Sequence, residues 1–290
     1  MWSARADADG GSEAMASTVL GMLLSRFGTV AGRVHRWWSR LRLGRAAQGW
    51  LAMAVLVVGA AGVGLAGVCE DVVRHNGLSA TDPSRLSFVI SHRSTALDEA
   101  AKLASSAGSA PVLCLLALIF AVVLYRLGQP VLVAVAPGVC LAVTAVGAEA
   151  LKLGVGRARP DRTFQLVTET TPSFPSAHSA DSAAFYLAAG LVLAVFVLRR
   201  RSIRALCVGT AALAAGSVGA SRLVLGVHWP SDVIAGLLIG TAVAVTTVSA
   251  AYLVDGTLEP TPIGGRSHAL VRLATRTRGG ASAHLAGAFA

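Results

Sequence analysis

Charge is scarce in this chain. Asp, Glu, Lys and Arg together make up 14% of its 290 residues, against about 25% in an average soluble domain, which argues against a soluble globular class. Lysine is nearly missing: only Lys102 and Lys152 occur, so arginine carries the net charge of +10. Aromatic residues reach only 6%. They interleave only sparsely with the basic residues, and most of the arginines flank apolar runs, so no nucleic acid partner is expected. The four cysteines (Cys69, Cys114, Cys140 and Cys207) lie in or beside apolar runs without C-x-x-C spacing. That excludes a disulfide framework or zinc site and leaves buried free thiols. The short apolar run at 16–24 lacks a positive leading region, because Asp7, Asp9 and Glu13 precede it. The N-terminus is therefore expected to be retained.

What the chain has in abundance is apolar length. Hydrophobic residues make up 54% of it and the mean hydropathy is +0.65. A membrane-crossing helix needs about 20 apolar residues. Six segments qualify: 49–69, 109–125, 130–150, 180–198, 203–221 and 233–254. The fold class that follows is all-α, a polytopic membrane bundle of six transmembrane helices, with Gly- and Ala-rich faces suited to close packing in lipid. Its expected organisation is a cytoplasmic N-terminal segment (1–45), a six-helix membrane domain (46–255) and a cytoplasmic, disordered tail (256–290). Within residues 20–41, Leu20, Leu24, Phe27, Ala31, Val34, Trp38 and Leu41 recur at helical spacing opposite Arg26, Arg33, Arg36 and Arg40. This predicts an amphipathic helix at the membrane surface, its arginines near anionic lipid.

Arginine placement sets the expected orientation. The N-terminal segment, the 199–204 loop and the C-terminal tail carry most of the arginines and fall on one side, which is then the cytoplasm, with both termini there. The long segment 70–108 lies opposite, with four basic and five acidic residues, and reads as an outer loop. His75, His92 and Arg93 within it read as solvated.

Three polar clusters emerge at the outer helix ends. One runs from Lys152 to Arg159-Pro160, one is Pro175-Ser176-Ala177-His178, and one runs from Ser221-Arg222 through His228-Trp229-Pro230 to Asp232. Cations at the ends of apolar helices cost about 2.5–3.5 kcal/mol each and repel one another. A polyoxygen anion relieves both costs. Lys152, Arg159 and Arg222 match phosphate chemistry, Ser176 offers a hydroxyl, and the backbone N–H of Ala177 sits where a helix start favours an anion. His228 and Asp232 are one turn apart if a helix opens at Pro230. The carboxylate can then orient the ring and leave its other nitrogen as nucleophile, with His178 as the proton donor. Arg157 and Arg162 read as loop charges or headgroup contacts, Glu149 as a neighbour able to pair with Lys152, and Trp229 as an interfacial anchor. Asp181, one turn after His178, either orients that ring or favours the start of its helix.

These clusters resemble the three signatures of the type 2 phosphatidic acid phosphatase superfamily, KxxxxxxRP, PSGH and SRxxxxxHxxxD, over residues 46–255, with Ala177 standing where the family has glycine. The resemblance implies a multi-pass lipid phosphatase of the plasma (inner) membrane with an extracytoplasmic site. In it His228 is the nucleophile, Asp232 its orienter and His178 the acid and later base, while Lys152, Arg159, Ser176, Ala177 and Arg222 hold phosphate. No metal or cofactor is expected. The expected substrate is a lipid phosphate or a polyprenyl diphosphate such as the undecaprenyl carrier. Alternatives are a non-catalytic lipid-phosphate binder or transporter on the same scaffold, and transfer of the phosphoryl group to an acceptor other than water.

Overall fold

The computed structural model describes residues 44–257. The surface helix expected at 20–41 and the tail at 258–290 lie outside the described residues. The chain divides into two units, Met1–Ala52 and Met53–Ala290. Of the first, only the opening turns of helix α1 (Arg45–Arg74) are described. The second holds the rest of α1 followed by α2 (Gly77–Ala80), α3 (Asp82–Ser91), α4 (Thr95–Ala107), α5 (Ala110–Arg126) and α6 (Val131–Val155). A single 3₁₀ turn (Arg162–Phe164) comes next. Then come α7 (Ala177–Val192, continued by a π turn, Leu193–Val197), α8 (Arg201–Val224) and α9 (Pro230–Thr257). The described residues contain no strand.

Among the described residues five helices are long and apolar enough to cross a bilayer, and α4 with α5, taken as one span, makes a sixth bent by 52°. The bend falls at Gly108-Ser109, just before Pro111, where proline supplies no N–H to continue the ladder. The fold is thus a polytopic helical bundle. Leu115, Leu118, Ile119, Val122 and Val123 of α5 are exposed, as a lipid-facing surface requires. Cys140 is buried, but Cys114 is exposed on α5 and Cys69 and Cys207 are half-buried, all four free. The expectation of uniformly buried thiols therefore holds for Cys140 alone.

The segment 70–108 is not the loop that its mixed charge suggested. Thr81-Asp82-Pro83 starts α3 with proline in the first turn, and Ser94 caps α4 by accepting from Leu97 N. Both are local helix-start signals. His75 and His92 are exposed, while Asp82 is fully buried.

The centre of the bundle is the contact of α7 with α9. A Cβ on Gly236 would lie 2.5 Å from Ser176 O, and one on Gly240 2.3 Å from Ala180 O. Only hydrogen fits at either position, so the two helix starts approach backbone to backbone. The helix that begins at Ala177 and the helix that begins at Pro230 are thereby held side by side. Ser176 N donates to Asp232 O at 3.1 Å and stitches the two starts together. The last turns of α6 and α8, which carry Lys152 and Arg222, complete the ring around this pair.

Candidate active site

The three clusters, far apart in sequence, meet at the ends of α6, α7, α8 and α9. Lys152 sits in the last turn of α6, buried, with Nζ donating to Thr171 Oγ1 at 3.1 Å and 3.9 Å from Glu149. Helix α6 ends at Gly156, which adopts a left-handed φ of 62°. The chain then turns so that Arg159 points back across the helix ends. Arg159 Nε donates to Thr171 O at 2.7 Å and Nη1 to Val227 O at 2.8 Å. Burial pushes the Arg159 guanidinium pKa down while Glu169 and Asp232 pull it up, for a net lowering. Arg222, in the last turn of α8, is only 2% exposed. Its Nη1 takes Ser105 Oγ at 2.5 Å and its Nη2 pairs with Glu169. Its Nε is buried with no protein partner.

His228 lies in the turn between α8 and α9. Arg159 Nη1 stands 3.1 Å from its Nε2. A guanidinium only donates, so Nε2 must be the bare nitrogen and Nδ1 carries the hydrogen. Nδ1 stands 3.4 Å from Asp232 Oδ2 but is buried without a well-formed hydrogen bond. Burial pushes the His228 pKa down to about 4, against the upward pull of Asp232, so the ring is neutral at pH 7. Its Nε2 lone pair faces the Arg159 guanidinium.

Asp232 is fully buried, and both its oxygens accept hydrogen bonds. Oδ1 accepts from Arg157 Nη1 at 2.6 Å, and Oδ2 accepts from Trp229 N at 2.9 Å and from Ser173 Oγ. His178, second residue of α7, is half-buried among Arg222, Glu169, His228 and Lys152. Asp181 lies against Thr144 and Lys152, and no hydrogen bond joins it to the His178 ring.

The sequence-predicted residues Lys152, Arg159, His178, Arg222, His228 and Asp232 therefore share one cluster, and Ala177 opens α7 beside it. Ser176 is there too, but its hydroxyl is engaged as the cap of α7. It lies 2.9 Å from Ser179 Oγ and 3.4 Å from Ser179 N. Arg157 is not a solvated loop charge: it bridges Asp82 and Asp232. Trp229 is tied down by Nε1 donating to Ala158 O at 2.9 Å.

Glu169, Thr171, Ser173, Ser105 and Asp82 had no place in the sequence reading. Glu169 is held between Arg222 and Arg159. Burial raises its pKa, but the two guanidinium groups outweigh that and keep the carboxyl below its ordinary value. A cavity of about 510 Å³ opens beside it, walled by residues 156–162, Gln165 and residues 169–172. Among the described residues no three His, Cys, Asp or Glu side chains are grouped to hold a metal ion.

Residues 133–254 match the family model of the PAP2 superfamily. In fold the chain is similar to a transmembrane PAP2-type phosphatidylglycerolphosphate phosphatase from Bacillus subtilis. That match has a TM-score of 0.58 and 20% identity, and covers 74% of this chain and 98% of that one. A second solved structure, LpxE of Aquifex aeolicus, aligns at 23% identity over 58% of this chain and 94% of its own, with a TM-score of 0.47. No protein of curated function matches.

Proposed function

With a PAP2-superfamily region at residues 133–254 set in a multi-pass helical bundle, we propose that this chain is a membrane lipid phosphatase working through a phosphohistidine on His228. The observation that carries the reading is the state of His228. It is a neutral ring with Nδ1 beside Asp232 and a bare Nε2 facing the Arg159 guanidinium, with Arg222 also close enough to act on the ring. That is what an in-line attack on phosphorus needs.

In the first step Nε2 forms a bond to phosphorus as the phosphorus–oxygen bond to the lipid breaks. His178 gives its proton to the departing oxygen, and Asp232 stabilises the positive charge that appears on the ring. In the second step His178 takes a proton from water, the water oxygen bonds to phosphorus, the nitrogen–phosphorus bond breaks, and inorganic phosphate leaves. Lys152, Arg159 and Arg222, with the free Nε of Arg222, supply the charge that spreads over the phosphoryl oxygens. No divalent cation is needed for that role. Chelation is therefore expected to leave turnover intact.

The substrate class is a lipid phosphate or lipid diphosphate, its headgroup in the polar cavity and its tail in the bilayer. The arginine distribution supports a site on the extracytoplasmic face. The test is phosphate release by the purified protein from a panel of lipid mono- and diphosphates, with acid-quench trapping of the labelled phosphoenzyme. His228→Ala is expected to abolish release and trapping, and His178→Ala to slow both steps. Full turnover by His228→Ala would overturn the mechanism.

A further inference from the structure

Asp232 is itself held through two residues that the three signatures do not specify, Asp82 and Arg157. We infer that Asp82 and Arg157 are positioning residues that hold the plane of the Asp232 carboxylate in the orientation that faces the His228 ring. The inference takes its rate readout from the phosphatase reading. Its geometry stands apart from that reading.

Asp82 opens α3, upstream of the PAP2-matching stretch, and is completely buried. Its Oδ1 accepts from Ser231 N at 3.0 Å, and its Oδ2 accepts from Ser231 Oγ and from Arg157 Nη2 at 2.7 Å. Ser231 N is one of the first-turn donors that a helix cannot satisfy internally, and an anion is favoured there. Asp82 therefore anchors the start of α9 from a different helix.

Arg157 completes the link. Its Nη1 donates to Asp232 Oδ1 at 2.6 Å and to Ser231 Oγ at 2.7 Å, while Nη2 holds Asp82. Its guanidinium lies 5.6 Å from the Trp229 ring centre, which covers it from one side. A planar fork can hold two carboxylates at fixed spacing; an ammonium cannot.

The consequence is an ordered chain, Asp82–Arg157–Asp232–His228. Arg157 holds one oxygen of Asp232 while Trp229 N and Ser173 Oγ hold the oxygen nearer the ring. Tilting the carboxylate plane away from the ring stretches the Arg157 bond. Arg157 also keeps the two buried carboxylates, Asp82 and Asp232, from facing each other without a cation between them.

The test uses the full-length protein in detergent. Asp82→Asn and Arg157→Gln are each expected to lower kcat about 10²-fold, the cost of a small misplacement of a catalytic group. KM and inhibition by inorganic phosphate are expected to stay within about threefold of wild type, since the phosphate-holding cations are untouched. A second readout is the titration of His228 by nitrogen NMR, its signal assigned by its loss in His228→Gln. The charged and titratable groups facing that ring are Asp232, Arg159, Arg222 and, from α7, His178. Taking away the Arg157 cation leaves Asp232 less neutralised and raises the His228 pKa. Taking away the Asp82 anion does not raise it. A pair that merely holds the fold together would not combine this charge-specific split with a kcat loss at unchanged KM.

A kcat within about threefold of wild type in both variants overturns the inference. So does a loss confined to KM and phosphate inhibition, which would make Arg157 a substrate ligand. So does a His228 titration that moves the same way in both. If wild type turns over no lipid phosphate, the phosphatase reading fails and the titration alone decides the chain. If Arg157→Gln does not fold, Arg157→Lys replaces it in the rate comparison, with the same loss expected, and Asp82→Asn carries the titration.

Discussion

Replacing Asp232 by Asn changes one atom and reverses the logic of the site. Four donors converge on the carboxylate: Arg157 Nη1 at 2.6 Å, Trp229 N at 2.9 Å, Ser173 Oγ, and the His228 Nδ1–H at 3.4 Å. An amide offers one oxygen and turns the other position into a donor. If the nitrogen takes the Oδ1 position it meets the Arg157 guanidinium, donor against donor, inside the protein. If it takes the Oδ2 position it meets Trp229 N–H and forces the imidazole into its other tautomer. Nε2 would then carry the hydrogen against Arg159, and the lone pair needed for attack would be gone. The equivalent exchange in a Ser-His-Asp triad costs about 10⁴ in kcat, about 5.4 kcal/mol of barrier. A loss of that order is expected here, with KM for the lipid phosphate nearly unchanged because Lys152, Arg159 and Arg222 are untouched. Steady-state phosphate release, paired with acid-quench trapping of the phosphoenzyme, reads both quantities. A fall of less than about tenfold in kcat would refute the assignment of Asp232 as the group that sets the ring's tautomer.

The remaining expectations follow from the same geometry. His228, with its pKa pushed down to about 4, keeps its lone pair throughout the neutral range, so the acid limb of kcat/KM should fall near pH 4 and not near the ordinary imidazole value of about 6.5. The same shift gives a stability term that is complete above about pH 6.5, where folded and unfolded rings are both neutral. It is lost as pH falls from about 6.5 to 4, because only the unfolded ring takes a proton there. Thermal unfolding midpoints measured across that window check the sign. Glu169 holds Arg222 and Arg159 where a phosphate would have to bind, so Glu169→Gln should strengthen competitive inhibition by inorganic phosphate several-fold; weaker inhibition would place Glu169 outside the competition. Gly240→Val would set a side chain against Ala180 O and Ala183 Cβ, at 2.3 and 2.6 Å. It should lower both the unfolding midpoint and kcat by prising α7 from α9; unchanged activity would mean that this contact does not position the site.

Much of this architecture was legible in the residues themselves. The apolar runs gave the membrane helices, because a segment that must satisfy its backbone in lipid has few other options. Lys152, Arg159, His178, Arg222, His228 and Asp232 stood out because polar groups at the ends of such runs are conspicuous. Asp82 and Arg157 were not legible. Asp82 is one of several acids in a segment of mixed charge, and its partners are 75 and 149 residues away, a pairing that no local periodicity records. Glu169 sits in an irregular stretch for the same reason. The helices within 77–107 were readable after all: Asp82-Pro83 and the Ser94 cap are start signals, outweighed in the reading by the scarcity of long apolar runs there.

The cavity proposed to take the headgroup is lined by one length of chain, within residues 156–172, while His228 and His178 stand on other elements. That connector also supplies Arg157 and Arg159, which reach Asp232 and His228, so it touches both the headgroup space and the proposed cutting site. Transplanting the rest of the strip between related proteins, with Arg157, Arg159 and Glu169 kept, should exchange headgroup preference while leaving the cutting chemistry in place, so that one reaction is redirected to new lipids by altering a single connector.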